Sequence, residues 1–548
     1  MAMNKLFISV LLLLWALSTH AQNRYVVFLA DKNNNEHSIS DPSTFLSDRA
    51  VLKRDKYNIP ITMQDIPVTS IYLDQIESYE VEMLFTSKWI NAVFIESEES
   101  VADQLLALPF VVKIELIAPG PTQPGMAPET EETINGTSGR KELNDVHVQS
   151  MSVNALQNRM LGADEMHERG FTGENMLIAV FDSGFETVDD SYFYDHVFDN
   201  NRITATRDFI RKSGNVFQHD GHGTKVLSTI AAYSEDEFTG IAHNANFVLC
   251  VTEDVKSEHR IEEYNWLAAA EFADSLGVDV ISSSVAYTTF DPPSYSYSYE
   301  DMNGQTAIVS NAARIAAQKG IIVVTSAGND GNKSWKYINA PSDADTVLAI
   351  GSVSPTIERS FFSSFGPTSD GRIKPDLVAL GSGVSVVYGE NTTFSNGTSF
   401  AAPQIAGLSA GFWQAFPELS SWEIVNYLKA SASNSTAPDT AIGFGLPNFN
   451  SAFELASDSE NDIVKEFTVY PNPVDGSRIF VASAGKFEIG DLIIKFYDGK
   501  GAQIKLFQTT IFSEYETIEV DVSDLGPGYY FLIFESPGHT EKSKLIVR

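Results

Sequence analysis

The chain has one cysteine in 548 residues, Cys250, so no internal disulfide can staple it. Stability must come from packed cores, and this length has room for several domains. Basic residues are also scarce: 37 Lys and Arg stand against 72 Asp and Glu, a formal net charge of −35. That imbalance argues against nucleic acid or an anionic membrane as a partner and suits a soluble exported protein. Beyond residue 21 no apolar run is long enough to span a bilayer, so no membrane span is expected in the mature chain. There is no ordered EF-hand-type loop. The plentiful loop Asp and Asn still leave room for structural calcium, although no cofactor is expected to be required for chemistry.

What is present begins with an export signal. Lys5 precedes the apolar run Leu6–Leu17 and then Thr19-His20-Ala21, a secretory signal peptide over residues 1–21 with cleavage expected after Ala21. Export without disulfides points to a bacterium. Cys250 lies in the apolar run Phe247–Val251 and reads as inert core.

Three stretches carry chemistry. Ser395-Asn396-Gly397-Thr398-Ser399 is a small turn leading into the Ala-rich apolar run Phe400–Trp413, a loop that delivers a hydroxyl to the start of a buried helix. Pro403 is read as lying in that helix's first turn, where its missing N–H costs nothing. At such a helix start, backbone N–H groups and the dipole favour negative charge, which suits a nucleophile whose reaction passes through an oxyanion. The run Leu177–Phe181 reads as a buried strand ending in Asp182-Ser183-Gly184. His219-Asp220-Gly221-His222-Gly223-Thr224 precedes the helix-like Lys225–Ala232. Singly these are a cap, a strand end and a loop histidine. Together they supply, in the order Asp, His, Ser, a hydroxyl, a base and a carboxylate that fixes the base's tautomer.

These blocks, with Ser326-Ala327-Gly328-Asn329-Asp330-Gly331, resemble the signature segments of the subtilisin-like serine peptidases. The resemblance covers roughly residues 150–455. It implies Ser399 as nucleophile, His222 as base with His219 a loop neighbour, Asp182 as orienting carboxylate and Asn329 as oxyanion donor. It also implies that polypeptide substrates lie along backbone near Ser282, Ser283 and Ser284 and near Ser326, Ala327 and Gly328, pairing as an added strand. Asp330 would stand at the rim of the primary pocket. Lys225 departs from the pattern, replacing a frequent second histidine, and Val285-Ala286 stands where Leu-Gly is common.

The fold class follows from the alternation of strand-like runs (Leu177–Phe181, Phe247–Val251, Val278–Ser282, Ile321–Thr325, Val347–Ile350) with helical stretches (Glu262–Leu276, Asn311–Lys319). It is an α/β domain over residues 149–455, a mostly parallel sheet with helices on both faces. Residues 22–119, with strand-like Tyr25–Leu29, Trp89–Ile95 and Val111–Ile117, form a small α+β domain, read through the resemblance as a propeptide that templates folding and blocks the cleft. Residues 120–148 are a Pro-, Gly-, Thr- and Glu-rich linker and the natural place for maturation cleavage. After an acidic linker, 456–466, residues 467–548 alternate in short runs (Leu492–Tyr497, Ile518–Val522, Tyr529–Phe534) broken by Asp498-Gly499 and Gly526-Pro527-Gly528, an all-β sandwich. Val469-Tyr470-Pro471-Asn472-Pro473, Tyr497-Asp498-Gly499-Lys500-Gly501, Leu525-Gly526-Pro527-Gly528-Tyr529-Tyr530 and the ending Lys544–Arg548 resemble the C-terminal sorting domain of type IX secretion substrates of Bacteroidota. That implies the outer-membrane type IX machinery as partner and a secreted or cell-surface location beyond the outer membrane. A surface-binding β-module has similar patterning, and a triad-bearing inactive adhesin is the competing function. Asn-x-Ser/Thr triplets, including Asn396-Gly397-Thr398 beside the nucleophile, read as composition rather than modification.

Overall fold

The computed structural model describes residues 22–119, 152–461 and 467–548, apart from residues 475, 484–489, 499–501, 512–516 and 537–538. The expected signal peptide and the linker 120–148 lie outside the described residues. The chain divides into two compact units between Phe453 and Glu454.

The first unit is built on a seven-stranded sheet. Its order is Leu377–Leu380, Leu348–Val353, Ile322–Ser326, Val280–Ser283, Leu177–Asp182, Asn246–Val251 and Ile203–Asp208, and every pairing is parallel. The central strands are buried at every position, as expected where helices cover both faces. The helix Ile261–Leu276 lies against one face and ends where Gly277 turns left-handed at φ 77°. The helix Thr398–Ala415 packs against four strands of the sheet and is buried from Thr398 to Trp413. Each large apolar side chain sealed in this way contributes about 1.5–3 kcal/mol.

The N-terminal residues form a four-stranded antiparallel sheet, in the order Glu82–Ser87, Ala92–Ser97, Asn23–Leu29, Val111–Ala118, with short helices. This sheet shares one apolar core with the seven-stranded domain. Trp89, Phe94 and Ile117 cluster with Trp266, Ala269 and Ala273, and the Phe94 and Tyr264 ring centroids are 4.9 Å apart. Buried ion pairs stitch the rim. Arg54 donates to Asp65 at 3.2 Å and across the interface to Asp274 at 2.6 Å, while Lys319 reaches back to Asp65 at 2.8 Å. Glu271 accepts the backbone N–H groups of Lys88 at 2.8 Å and Trp89 at 3.0 Å.

The second unit is a sandwich of a three-stranded sheet, Phe467–Tyr470, Arg478–Ser483 and Thr517–Asp521, and a four-stranded sheet in the order Gln503–Ile511, Gly490–Tyr497, Gly528–Ser536, His539–Val547. Residues 456–461, expected as linker, continue the helix Phe449–Asn461. Ala452 and Ala456, four residues apart, are both buried, giving that segment a helical rather than a linker pattern.

Candidate active site

Asp182 closes the strand Leu177–Asp182 and is wholly buried. Its Oδ1 accepts the Ser183 backbone N–H at 2.8 Å and stands 2.7 Å from His222 Nδ1. His222 is the first residue of the helix His222–Ala231, and its own N–H donates to Asp220 Oδ1 at 2.8 Å. Asp220 also accepts the Ser183 hydroxyl at 2.7 Å, tying the strand end to the helix start. Gly223 permits this approach. A Cβ there would lie 2.3 Å from the Gly184 carbonyl oxygen and 2.9 Å from Asp182 Cβ. Burial opposes charge on His222, but the Asp182 carboxylate and the hydrogen bond to it outweigh burial and hold the imidazole pKa above its ordinary 6.5. His219 is exposed, with a left-handed φ of 83°, and is not drawn into this arrangement.

Ser399 is the second residue of the helix Thr398–Ala415 and 7% exposed. Its neighbour Phe400 packs on the His222 ring, centroids 5.5 Å apart. The Ser399 hydroxyl is directed at the Ser284 carbonyl oxygen, 3.5 Å away. Pro403 is not in the first turn as expected. It is the sixth helical residue, so its missing N–H deprives the Ser399 carbonyl of a partner. The Ser284 hydroxyl supplies one at 2.8 Å.

Asn329 follows the strand Ile322–Ser326 after Gly328, whose φ is 105°. Its Oδ1 accepts the Thr398 N–H at 2.9 Å and the Thr398 hydroxyl at 3.0 Å. Both bonds occupy the oxygen, which leaves the Nδ2 group as the donor on the exposed side; a Cβ on Gly397 would lie 3.7 Å from it. Asp330 Oδ2 accepts Asn339 Nδ2 at 2.8 Å, and Oδ1 pairs with Lys333 at 3.2 Å, so its charge is already engaged.

The expected substrate edges separate on inspection. Ser282 and Ser283 are ladder residues, paired on one side with Val180 and Phe181 and on the other with Val324 and Thr325. Their backbone cannot also pair with a peptide. The chain leaves the sheet at Ser284 and resumes pairing at Tyr287, bridged to Ala340. Ser326 is likewise in the ladder, paired with Ile350. The carbonyls of Ala327 and Gly328 accept from Asn339 at 3.2 Å and Ser364 at 2.9 Å.

Two features carried no local sequence signal. Lys225 Nζ lies 5.4 Å from the Tyr388 ring centroid, and the Tyr388 hydroxyl donates to Glu186 at 2.9 Å. Glu253, Glu258 and Glu262 gather near Tyr287. Burial, then the charges of Glu253, Asp291 and Glu263, pushes Glu258 up to about 8, while burial above all brings Glu253 to about 7. Among the described residues no group of three or more His, Cys, Asp or Glu is disposed to hold a metal ion, and no helix is long and apolar enough to cross a membrane.

Residues 173–445 match the subtilase family, peptidase S8; residues 24–132 match the peptidase S8 propeptide domain of Bacteroidota; residues 468–548 match the secretion system C-terminal sorting domain. The chain is 30% identical over 300 residues to subtilisin DY of Bacillus licheniformis, spanning 54% of this chain and 96% of that one. It is 30% identical over 277 residues to the major intracellular serine protease of Bacillus subtilis, spanning 48% and 76%. The crystal structure of MycP1 with its N-terminal propeptide removed aligns with 54% of this chain and 96% of its own, at 23% identity and a TM-score of 0.44.

Proposed function

The chain belongs to the subtilase family and is a subtilisin-like endopeptidase; from that premise we propose that it cuts peptide bonds through Asp182, His222 and Ser399 by way of an acyl-enzyme. The observation that carries this is the 2.7 Å contact between His222 Nδ1 and Asp182 Oδ1, beside the helix whose second residue is Ser399. A carboxylate only accepts, so Nδ1 bears the hydrogen and Nε2 is free to take another. Ser399 Oγ attacks the scissile carbonyl carbon as its proton passes to His222. The C–N bond breaks, and that proton leaves with the amine. Water then attacks the ester, again through His222, and restores Ser399. Asn329 Nδ2 and the Ser399 N–H receive the oxyanion. An extended substrate lies along Ser284–Ala286, backbone that the sheet leaves free.

The propeptide domain is proposed to hold the cleft silent until export. The sorting domain is proposed to carry the enzyme from the periplasm through the outer membrane. Labelling with a serine-directed fluorophosphonate tests the chemistry. Wild type should label and Ser399→Ala should not; an unlabelled wild type after propeptide removal would leave an inactive adhesin in its place.

A further inference from the structure

We propose that the outer face of the four-stranded sheet in the C-terminal domain is the surface that docks on the type IX secretion machinery, and that the partner protein meets it with an apolar surface bearing carboxylates. This rests on reading residues 467–548 as an export address.

Register defines the face. Paired residues of an antiparallel sheet point to the same side. Ile494, Phe496, Leu532 and Phe534 point inward and are fully buried in the sandwich core. The alternate positions therefore point out. Across the sheet they read Leu506–Lys495–Ile533–Lys542 in one row, and Tyr497–Phe531–Lys544 in the next. The uncovered side of an antiparallel sheet is ordinarily polar. Here Phe531 is 47% exposed, Leu506 51% and Tyr529 62%. Large apolar side chains exposed on one sheet face, here interspersed with lysines, are the composition of an interaction surface.

The charges select the partner. Lys495 is paired with Glu535, but Lys542 and Lys544 are exposed and no ion pair is formed by either among the described residues. They flank Phe531 around a shallow hollow of about 480 Å³. Residues 467–548 hold 8 basic and 11 acidic residues, close to neutral in a chain of net charge −35, so this cationic rim is a local departure from the chain's own chemistry. Its complement is a carboxylate. Two free lysines fall short of the four to eight that mark an anionic lipid surface. A two-fold contact with a second copy would set the same lysines near their own mates. Lysines on an edge strand guard against edge pairing, and Val474 already bonds to Ile546 and Arg548 at the strand's end. The face, rather than the edge, is what remains to be read.

The test uses the full chain in a type IX-competent cell, with surface and periplasmic fractions measured for Tyr529→Ser/Phe531→Ser, for Lys542→Glu/Lys544→Glu, and for Glu519→Lys, exposed on the other sheet. Both double variants should lose surface protein about tenfold, the equivalent of one interface anchor, while keeping wild-type trypsin resistance and fluorophosphonate labelling. Glu519→Lys should export normally. Normal export of both double variants, when deletion of 467–548 abolishes it, overturns the docking face. Normal export of the deletion instead overturns the sorting reading beneath it. Loss in the Phe531 variant alone overturns the carboxylate partner. Binding of wild type to phosphatidylglycerol vesicles, or dimerisation that Phe531→Ser abolishes, reassigns the face to lipid or to a second copy.

Discussion

The Ser284 hydroxyl donates a 2.8 Å hydrogen bond to the Ser399 carbonyl, the one helical acceptor that Pro403 leaves without a partner. A residue 115 positions away thus completes the first turns of the helix that carries Ser399. Ser284→Ala should leave that buried carbonyl unpaired and cost roughly 1–3 kcal/mol. Denaturant unfolding on a Ser399→Ala background, which avoids autolysis, measures it; unchanged stability would mean the carbonyl finds water instead.

His222 must be neutral to accept a proton, and its pKa lies above 6.5 because Asp182 favours the charged ring over the opposing effect of burial. The acid limb of kcat/KM should therefore have its midpoint above 6.5. Asp182→Asn should lower that midpoint and reduce kcat by about 10⁴, the size found when the equivalent Asp of other Ser-His-Asp peptidases is changed. A midpoint that stays put would detach the titration from this pair.

Asn329 is aimed through its oxygen, which Thr398 holds twice. Asn329→Ala should lower kcat by roughly 10²–10³ with KM little changed, a magnitude taken from the oxyanion asparagine of subtilisin itself. Thr398→Val removes one of the two tethers and should lower kcat in the same direction by less. Steady-state kinetics on one peptide substrate separates the two.

Glu258 is held at a raised pKa, about 8, first by burial and then by Glu253, Asp291 and Glu263. A carboxyl whose folded pKa exceeds its unfolded value stabilises at low pH, and that contribution is lost as pH rises through the folded pKa. Stability should decline from about pH 5 to pH 9, and Glu258→Gln should flatten the decline. Melting temperatures of the Ser399→Ala protein across that range provide the check.

Arg54 and Asp274 form a buried pair across the propeptide interface at 2.6 Å. Arg54→Ala leaves Asp274 with Lys88, at 3.1 Å, as its one ion-pair partner among the described residues, and should destabilise the uncleaved Ser399→Ala chain by about 3–5 kcal/mol. The double variant with Asp274→Ala should lose less than the sum of the two single losses, because both substitutions remove the same contact. Additive losses would show that the two residues act independently.

Much of the fold and the family was legible in the sequence because the signature blocks are local. Each is a short apolar run ending in a small polar turn, and the strands Leu177–Asp182 and Asn246–Val251 are almost wholly apolar. The edge strand Ile203–Asp208 was missed because ITATRD, half exposed at the sheet margin, lacks that run. The hairpin Val384–Tyr388 with Asn391–Ser395 was missed because its second strand, NTTFS, is polar and exposed. Pro403 was misplaced because no residue type marks where a helix begins to within one turn. Ser284, Glu258 and Arg54 owe their importance to partners brought near only by folding. For Ser282 and Ser283, the segment was found but not the residue at which backbone is released from the ladder.

The helix behind Ser399 is enclosed by the sheet and its neighbours from Thr398 to Trp413, and that placement dictates how the enzyme should fail. Regions that open at little cost are those with few buried contacts, and this helix has the opposite character. Ser399, the proposed nucleophile, is therefore mounted on one of the last segments to exchange its amide hydrogens with solvent. Heat should first loosen exposed loops such as that around His219, whereas loss of the reactive hydroxyl should coincide with global unfolding. Fluorophosphonate reactivity after a brief heat pulse then reports the fraction of molecules still native.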